Sequence, residues 1–377
     1  MTTRRDALQK INNLLSNSGV RVNGPNPWDI QINEKFLIKF YYRIIRYGSL
    51  WLGESYMDGW WNCKKLDEFF TRILKVGLDK KSNPWRMIFS YFWSILFNFQ
   101  TRSASMRVAK NHYDLSSKLY ESFLDPYNQY TCGYFKNTTN LDIAQKQKLD
   151  LICRKLNLNS QDHLLDIGCG WGGLVKYAAE NYGCNVTGIS ISKEQIHYAR
   201  VYTKGLPVEI LEMDYRDLGK KQYSKIVSVG MVEHVGYKNY REFMEIAHKA
   251  LEPDGLFLIH TIGGLESVTS TDPWINKYIF PNSMLPSIKQ IAKASEGLFI
   301  THDLHNFGSN YDPTLMAWYE NFKKNWDTVK SDYDERFYRM WEYYLLSCAG
   351  SFRAGVNQLY QFVFSKNLLE KEYLPVR

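Results

Sequence analysis

The chain has 377 residues, which at about 150 residues per domain allows one to three domains and a sizeable core. Hydrophobic residues make up 45% and charged residues 23%, which excludes a disordered or fibrous chain. A formal net charge of +8 favours an anionic partner: nucleic acid, a membrane surface or an acidic substrate. The six cysteines form no CxxC pair and no zinc-like spacing, and read as thiols in a reducing compartment. No apolar signal region follows Arg4 and Arg5. The longest nearly apolar run, Met87 to Phe99, has 13 residues against the roughly 20 needed to cross a bilayer. The expected location is the cytoplasm.

In chain order, residues 1 to about 96 carry helical, aromatic-rich patterns such as Phe36 to Ile45 and Leu66 to Phe70. Pro84 to Phe99 combines aromatic anchors with the flanking cations Lys80, Lys81, Arg86, Arg102, Arg107 and Lys110, and reads as a membrane-surface segment or a buried helix. Gln100 to Ser105 is polar and reads as a linker. Beyond about residue 145 the texture changes to short β-branched runs: His163–Ile167, Cys184–Ile189, Val208–Leu211, Lys225–Val229 and Leu256–His260. Amphipathic stretches, Leu174–Tyr182 and Tyr240–Leu251, lie between them. This alternation predicts an α/β fold with a mostly parallel sheet. Residues beyond about 270 read as mostly helical and aromatic-rich.

The sharpest local signal is Leu164-Leu165-Asp166-Ile167-Gly168-Cys169-Gly170-Trp171-Gly172-Gly173, running from a strand into a helix. Glycines at 168, 170 and 172 allow a tight turn and close approach to a ligand. A dinucleotide site would show GxGxxG with an acid about 20 positions on. Here the spacing is GxGxG, the acid precedes the first glycine, and the second strand ends in Ser190-Ile191-Ser192, so NAD is disfavoured. The loop resembles that of S-adenosylmethionine-dependent methyltransferases. Asp214 and Asp217 offer acceptors for an adenine amino group, with Tyr215 as a stacking face, although both acids also suit a solvated turn.

Ordered segments extend the resemblance over nearly the whole chain: Ala109–Asp114, Tyr130–Tyr134, Asp166–Gly173, Ile191–Gln195, Met231–Gly236, His260–Gly263, Tyr311–Trp318 and Cys348–Ala354. Together they resemble the cyclopropane-fatty-acyl-phospholipid synthase family, a branch of the cyclopropane and mycolic acid synthases. The resemblance implies a Rossmann-like class I methyltransferase domain over residues 110–377. A smaller, mainly helical, lipid-associating domain over 1–96 and a linker over 97–109 would precede it. The implied reaction moves a methylene unit from S-adenosylmethionine to the cis double bond of an unsaturated acyl chain in a membrane phospholipid. An alkene is a weak nucleophile, so the path runs through a carbocation and asks for an apolar channel, aromatic faces and a base in a dry site.

The implied base is bicarbonate, held by Cys132, Glu233, His260, the Ile262 amide and Tyr311. Glu233 follows one predicted strand, His260 ends another and Ile262 lies just beyond, at the sheet edge where open α/β folds bind ligands. Cys348 matches a family cysteine weighed as a nucleophile, yet methyl transfer to an alkene needs no thiolate. The implied cofactor contacts are Tyr130, Thr131, Leu164, Leu165, Asp166, Ile167, Gly168, Cys169, Gly170, Trp171, Gly172, Ser190, Ile191, Ser192, Lys193, Glu194, Gln195, Tyr215 and Arg216. Unsaturated phospholipids at the inner face of a membrane are the implied partners, and a homodimer the implied assembly. Two competing readings stay open: a plain C- or N-methyltransferase acting on another lipid or a small amine without ring closure, and a nucleic-acid binder. Scattered basic residues, with no Lys/Arg stripe interleaved with aromatics, count against the second. Metal binding is disfavoured by the absence of HExxH.

Overall fold

A computed structural model describes residues 3–78 and 116–377. The aromatic segment Pro84–Phe99, its flanking cations, the 97–109 linker and Ala109–Asp114 lie outside the described residues. The chain divides into two compact units. The first takes residues 3–78 with Ser270–Pro281 and Tyr311–Asn357, and the second takes residues 116–269 with Asn282–Asn310 and Gln358–Arg377.

Residues 110–377 are therefore not one continuous domain. The physical reason is the helix Glu335–Arg353, which packs on the helix Leu66–Lys75. Gly350 makes this possible, because a Cβ there would stand 2.6 Å from the Phe70 Cβ. Arg353 seals the contact, pairing with Asp67 at 2.6 Å and with both oxygens of Asp312 at 2.8 Å. Trp61, Phe69 and Trp274 form the buried centre of this unit. Two short antiparallel strands, β1 (Gln31–Ile32) and β2 (Trp61–Asn62), interrupt its helices.

The second unit is built on a seven-stranded sheet: β3 (His163–Ile167), β4 (Asn185–Ser190), β5 (Val208–Glu212), β6 (Tyr223–Val229), β7 (Leu251–Gly264), β8 (Ile300–Asn306) and β9 (Asn357–Ser365). The order across the sheet is β5-β4-β3-β6-β7-β9-β8. β3 to β7 pair in parallel, and β8 pairs antiparallel with β9. Successive residues feed opposite faces. Leu164, Val227 and Leu258 pack in one apolar cluster, and Leu165, Ile226 and Phe257 in the other. Burial on both faces explains why these strands read as continuous apolar runs.

All five predicted strands are present, and β8 and β9 are two more in a region expected to be helical. β8 escaped because Thr301, His302, Asp303 and His305 break its apolar pattern. β9 carries an apolar run, Leu359 to Phe364, interrupted only by Gln361. Among the described residues, no helix is long and apolar enough to cross a membrane.

Candidate active site

The glycine loop begins where β3 ends. Gly168, Gly170 and Gly172 take φ of +90°, +52° and +86°, a region in which a side chain is strained. The Gly168 and Cys169 amides both donate to Ile189 O at 3.0 Å, tying the loop to the end of β4. A Cβ at Gly170 would meet nothing within 4 Å, so the loop leaves open space on that side. Asp166, fully buried beneath the loop, has Oδ1 without a protein partner, and burial raises its carboxyl to about 7. Open space beside a strained glycine and an orphaned buried carboxylate oxygen fit a ligand with a cationic amino-acid end.

The other expected contacts are taken in chain order. Trp171 is buried between the rings of Tyr120 and Tyr198, each 5.4 Å away. Ser192 caps the helix Lys193–Tyr202 by accepting from the Gln195 amide, and the Ser190 hydroxyl lies 3.2 Å from Gln195 Oε1. Asp214 is engaged by the Arg216 guanidinium at 3.0 Å. Tyr215 packs edge-to-face on Phe243 at 5.3 Å and is built into the core.

Tyr130, Thr131 and Cys132 lie on a segment fastened to the helix Leu141–Lys155. Gln145 Nε2 donates to Thr131 O at 2.8 Å, and Lys148 Nζ donates to Thr131 Oγ1 at 2.9 Å and to Gln129 Oε1. Lys148 is wholly buried. Burial lowers its ammonium to about 8, opposed by the charges of Asp125, Cys132 and Asp166. Lys148 and Gln145 were not singled out from the sequence. The available signal was a lysine on the helix face that also carries Ala144, Leu149, Leu151 and Ile152.

Beyond the strand ends, the structure brings Glu233 and Ile262 together. β7 continues past its last parallel pairing with β6, Val229 to His260, so Ile262 lies inside β7 rather than beyond it. Its amide is thereby released from β6 and donates to Glu233 Oε1 at 2.7 Å. Glu233 starts the helical turn Val232–Val235 and is buried, with Oε2 lacking a protein partner. Burial raises its carboxyl to about 7, and the Ile262 amide bond works against that rise. His260 is buried too. Burial, with the charges of Lys148 and Lys155, keeps its imidazole neutral, and Nε2 has no protein partner. Tyr240, absent from the expectations, has a buried phenol whose ionisation burial and the Glu233 charge oppose.

Cys132 is buried on the same segment as Thr131. Tyr311 and Cys348 belong to the first unit. Tyr311 opens the helix Tyr311–Asn325, its ring stacked on Phe352 at 4.4 Å. Cys348 is half-buried, and burial pushes its thiol up to about 12.

A seven-stranded sheet of this order, with a glycine loop after its first strand, defines the class I fold of S-adenosylmethionine-dependent methyltransferases. Residues 100–362 match the family model described as mycolic acid cyclopropane synthetase, and the chain belongs to that family. It is 49% identical to the cyclopropane-fatty-acyl-phospholipid synthase of Escherichia coli (strain K12), over 95% of this chain and 93% of that one. A cyclopropane synthase of Mycobacterium tuberculosis is 31% identical with a TM-score of 0.65, covering 69% of this chain and 98% of its own. A mycolic acid cyclopropane synthase complexed with SAH and CTAB is also 31% identical, with a TM-score of 0.64 and the same coverage.

Proposed function

We propose that this chain forms cyclopropane rings on unsaturated acyl chains of membrane phospholipids. S-adenosylmethionine supplies an electrophilic methyl group, with Asp166, the glycine loop and residues 190–195 holding it. The observation that carries the ring-forming reading is the buried polar set beyond β6: a Glu233 carboxyl raised to about 7, the Ile262 amide bonded to it, and an orphaned His260 Nε2. Methyl transfer to an amine needs no bound bicarbonate. A ring can close only where a base removes a proton in a site that excludes water.

Cys132, Glu233 and His260 would hold an oxyanion, with the Ile262 amide acting through Glu233, to which its one N–H is bonded, and bicarbonate supplies a base there. An anion beside an ionised Glu233 would be repelled, by several kcal/mol at about 4 Å and an effective dielectric of roughly 20. A carboxyl at about 7 eases this, because Glu233 then donates a proton to the anion instead of opposing it. Glu233 positions the base and is not itself the base. Phospholipid access is supported by the helix Leu37–Tyr47 of the first unit. There Tyr42 and Ile45 are exposed beside Lys39, Arg43 and Arg46, with no acidic residue in the helix. Work at the cytoplasmic face of a membrane, and as a homodimer, completes the reading.

The test is incubation with labelled S-adenosylmethionine and either unsaturated phospholipid vesicles or RNA. Label in the acyl chain, with loss of vinyl and gain of cyclopropane proton signals, is expected. Label with surviving vinyl signals means methylation without ring closure, and label in RNA overturns the lipid reading.

A further inference from the structure

His260 and Gln361 form a pair that the sheet itself builds. His260 lies on β7 and Gln361 on β9, neighbours across the sheet and 101 residues apart in the chain. Gln361 Nε2 stands 3.1 Å from His260 Nδ1, with both side chains buried. Opposite Gln361 in the β8–β9 register is His305, whose Nδ1 lies 3.2 Å from Lys155 Nζ. Lys155 is in turn bonded to Asp303 at 2.8 Å, and Arg377 holds Asp303 with two bonds of 2.7 Å. Lys155, Asp303, His305 and Arg377 are therefore committed to one another, while Gln361 Oε1 has no protein partner.

The imidazole is neutral for the reasons given above, and a neutral imidazole has one N–H and one bare nitrogen. The partner of one nitrogen decides what the other offers. An amide NH2 at Nδ1 requires an acceptor there, which moves the ring proton to Nε2. Nε2 is the atom left without a protein partner, and a buried N–H without an acceptor is unfavourable. An N–H held there is available to a ligand. The opposite tautomer would place a lone pair on Nε2, which repels an oxyanion. Gln361 is the one interruption of an otherwise apolar run, Leu359 to Phe364, on a strand flanked by β7 and β8, where Leu or Val would pack at lower cost.

We propose that Gln361 is a positioning residue: its amide locks His260 in the Nε2–H tautomer, so that the site presents a fixed donor to an oxyanion. The tautomer rests on the Gln361 amide presenting its NH2, and not its oxygen, to His260 Nδ1, and only the identity of the anion rests on the function proposed above. Loss of Gln361 frees the ring to exchange its proton between the two nitrogens, and the anion then loses a donor for part of the time.

The experiment is imidazole 15N NMR on the full chain labelled at histidine, with the His260 signals identified by their absence in His260→Asn. The expected wild-type spectrum shows a bare Nδ1 and a protonated Nε2. In Gln361→Met the two nitrogens should move towards an averaged or inverted pattern. Turnover should fall at least about 10-fold, while S-adenosylmethionine affinity by calorimetry stays within about twofold. A wild-type Nδ1–H overturns the proposal, as does a Gln361→Met protein that keeps both tautomer and turnover. Equal losses of turnover and cofactor affinity make Gln361 merely structural and overturn it as well. If Gln361→Met fails to fold, the wild-type spectrum still decides. Adding bicarbonate separates the two readings. An Nε2–H that ignores bicarbonate supports the tautomer lock and overturns bicarbonate as the anion.

Discussion

Two sets of polar side chains in this protein, one half-buried and one buried, are built to opposite rules. In the first unit, Arg353 is matched by Asp67 and Asp312, and Glu342 accepts from Tyr56 at 2.5 Å and Tyr319 at 2.7 Å. In the second, Asp166, Glu233 and His260 each keep one buried polar atom with no protein partner. Burial without a partner costs about 1–3 kcal/mol for each atom, so the second arrangement is the less stable one. A satisfied group holds a fold together. The orphaned atoms of Asp166, Glu233 and His260 are open to something the chain does not itself supply.

The difference is broken most severely at Glu233. Glu233→Gln should cost about 10^2–10^4-fold in ring formation, with partial recovery as bicarbonate is raised, measured as cyclopropane product per unit time. Wild-type protein rigorously freed of bicarbonate should be slow as well, and full activity there would make a side chain the base. The same variant should gain stability at high pH. The Glu233 carboxyl sits at about 7 in the fold against an ordinary 4.5, so its contribution is full below 4.5 and lost as pH rises through 7. That loss is on the order of 3 kcal/mol, and glutamine does not incur it. Urea denaturation of both proteins at about pH 5 and pH 8 checks the sign. Parallel curves would mean that Glu233 is not held as described.

Gly170 tests the open side of the loop. Gly170→Val should weaken S-adenosylmethionine binding at least about 10-fold, which is roughly 1.4 kcal/mol. The positive φ should add strain of about 1–2 kcal/mol to the folded state. Unchanged affinity by calorimetry would exclude this loop as the cofactor cradle.

The satisfied region should respond in the reverse sense. Arg353→Met leaves Asp67 and Asp312 unpaired and should lower stability by about 1–3 kcal/mol. The estimate is below the buried-pair value because the arginine is 28% exposed. Cofactor affinity in the second unit should be unchanged, and a parallel fall would join the two groups into one. The smallest effect belongs to Cys348. With its thiol pushed up to about 12 it carries no thiolate near neutral pH, so Cys348→Ser should change turnover less than about threefold. A loss of 10-fold or more in a folded protein would bring the sulfur into the chemistry.

Much of the second unit was legible because its signals are local. Leu164 to Gly173 announces a strand, a strained turn and a helix within ten residues, and the five parallel strands carry the apolar runs that burial on two faces demands. β8 was not legible, since the polar residues that break its pattern, Asp303 and His305, are those that meet Lys155. The divided first unit was not legible either. Nothing near Gly350 in the chain indicates that Phe70 lies against it.

The sequence by itself determined the strand–helix alternation, the glycine loop and the family to which the chain belongs, because backbone sterics and hydrophobic period act over a few residues. Only the tertiary structure decided which polar atoms are matched and which are left over. Ile262 meets Glu233 because β7 outruns β6, Lys148 meets Thr131 because a helix covers that segment, and Gln361 meets His260 because β9 lies beside β7. Each pairing joins groups far apart in the chain. Strand order and register set them, and no local pattern encodes either.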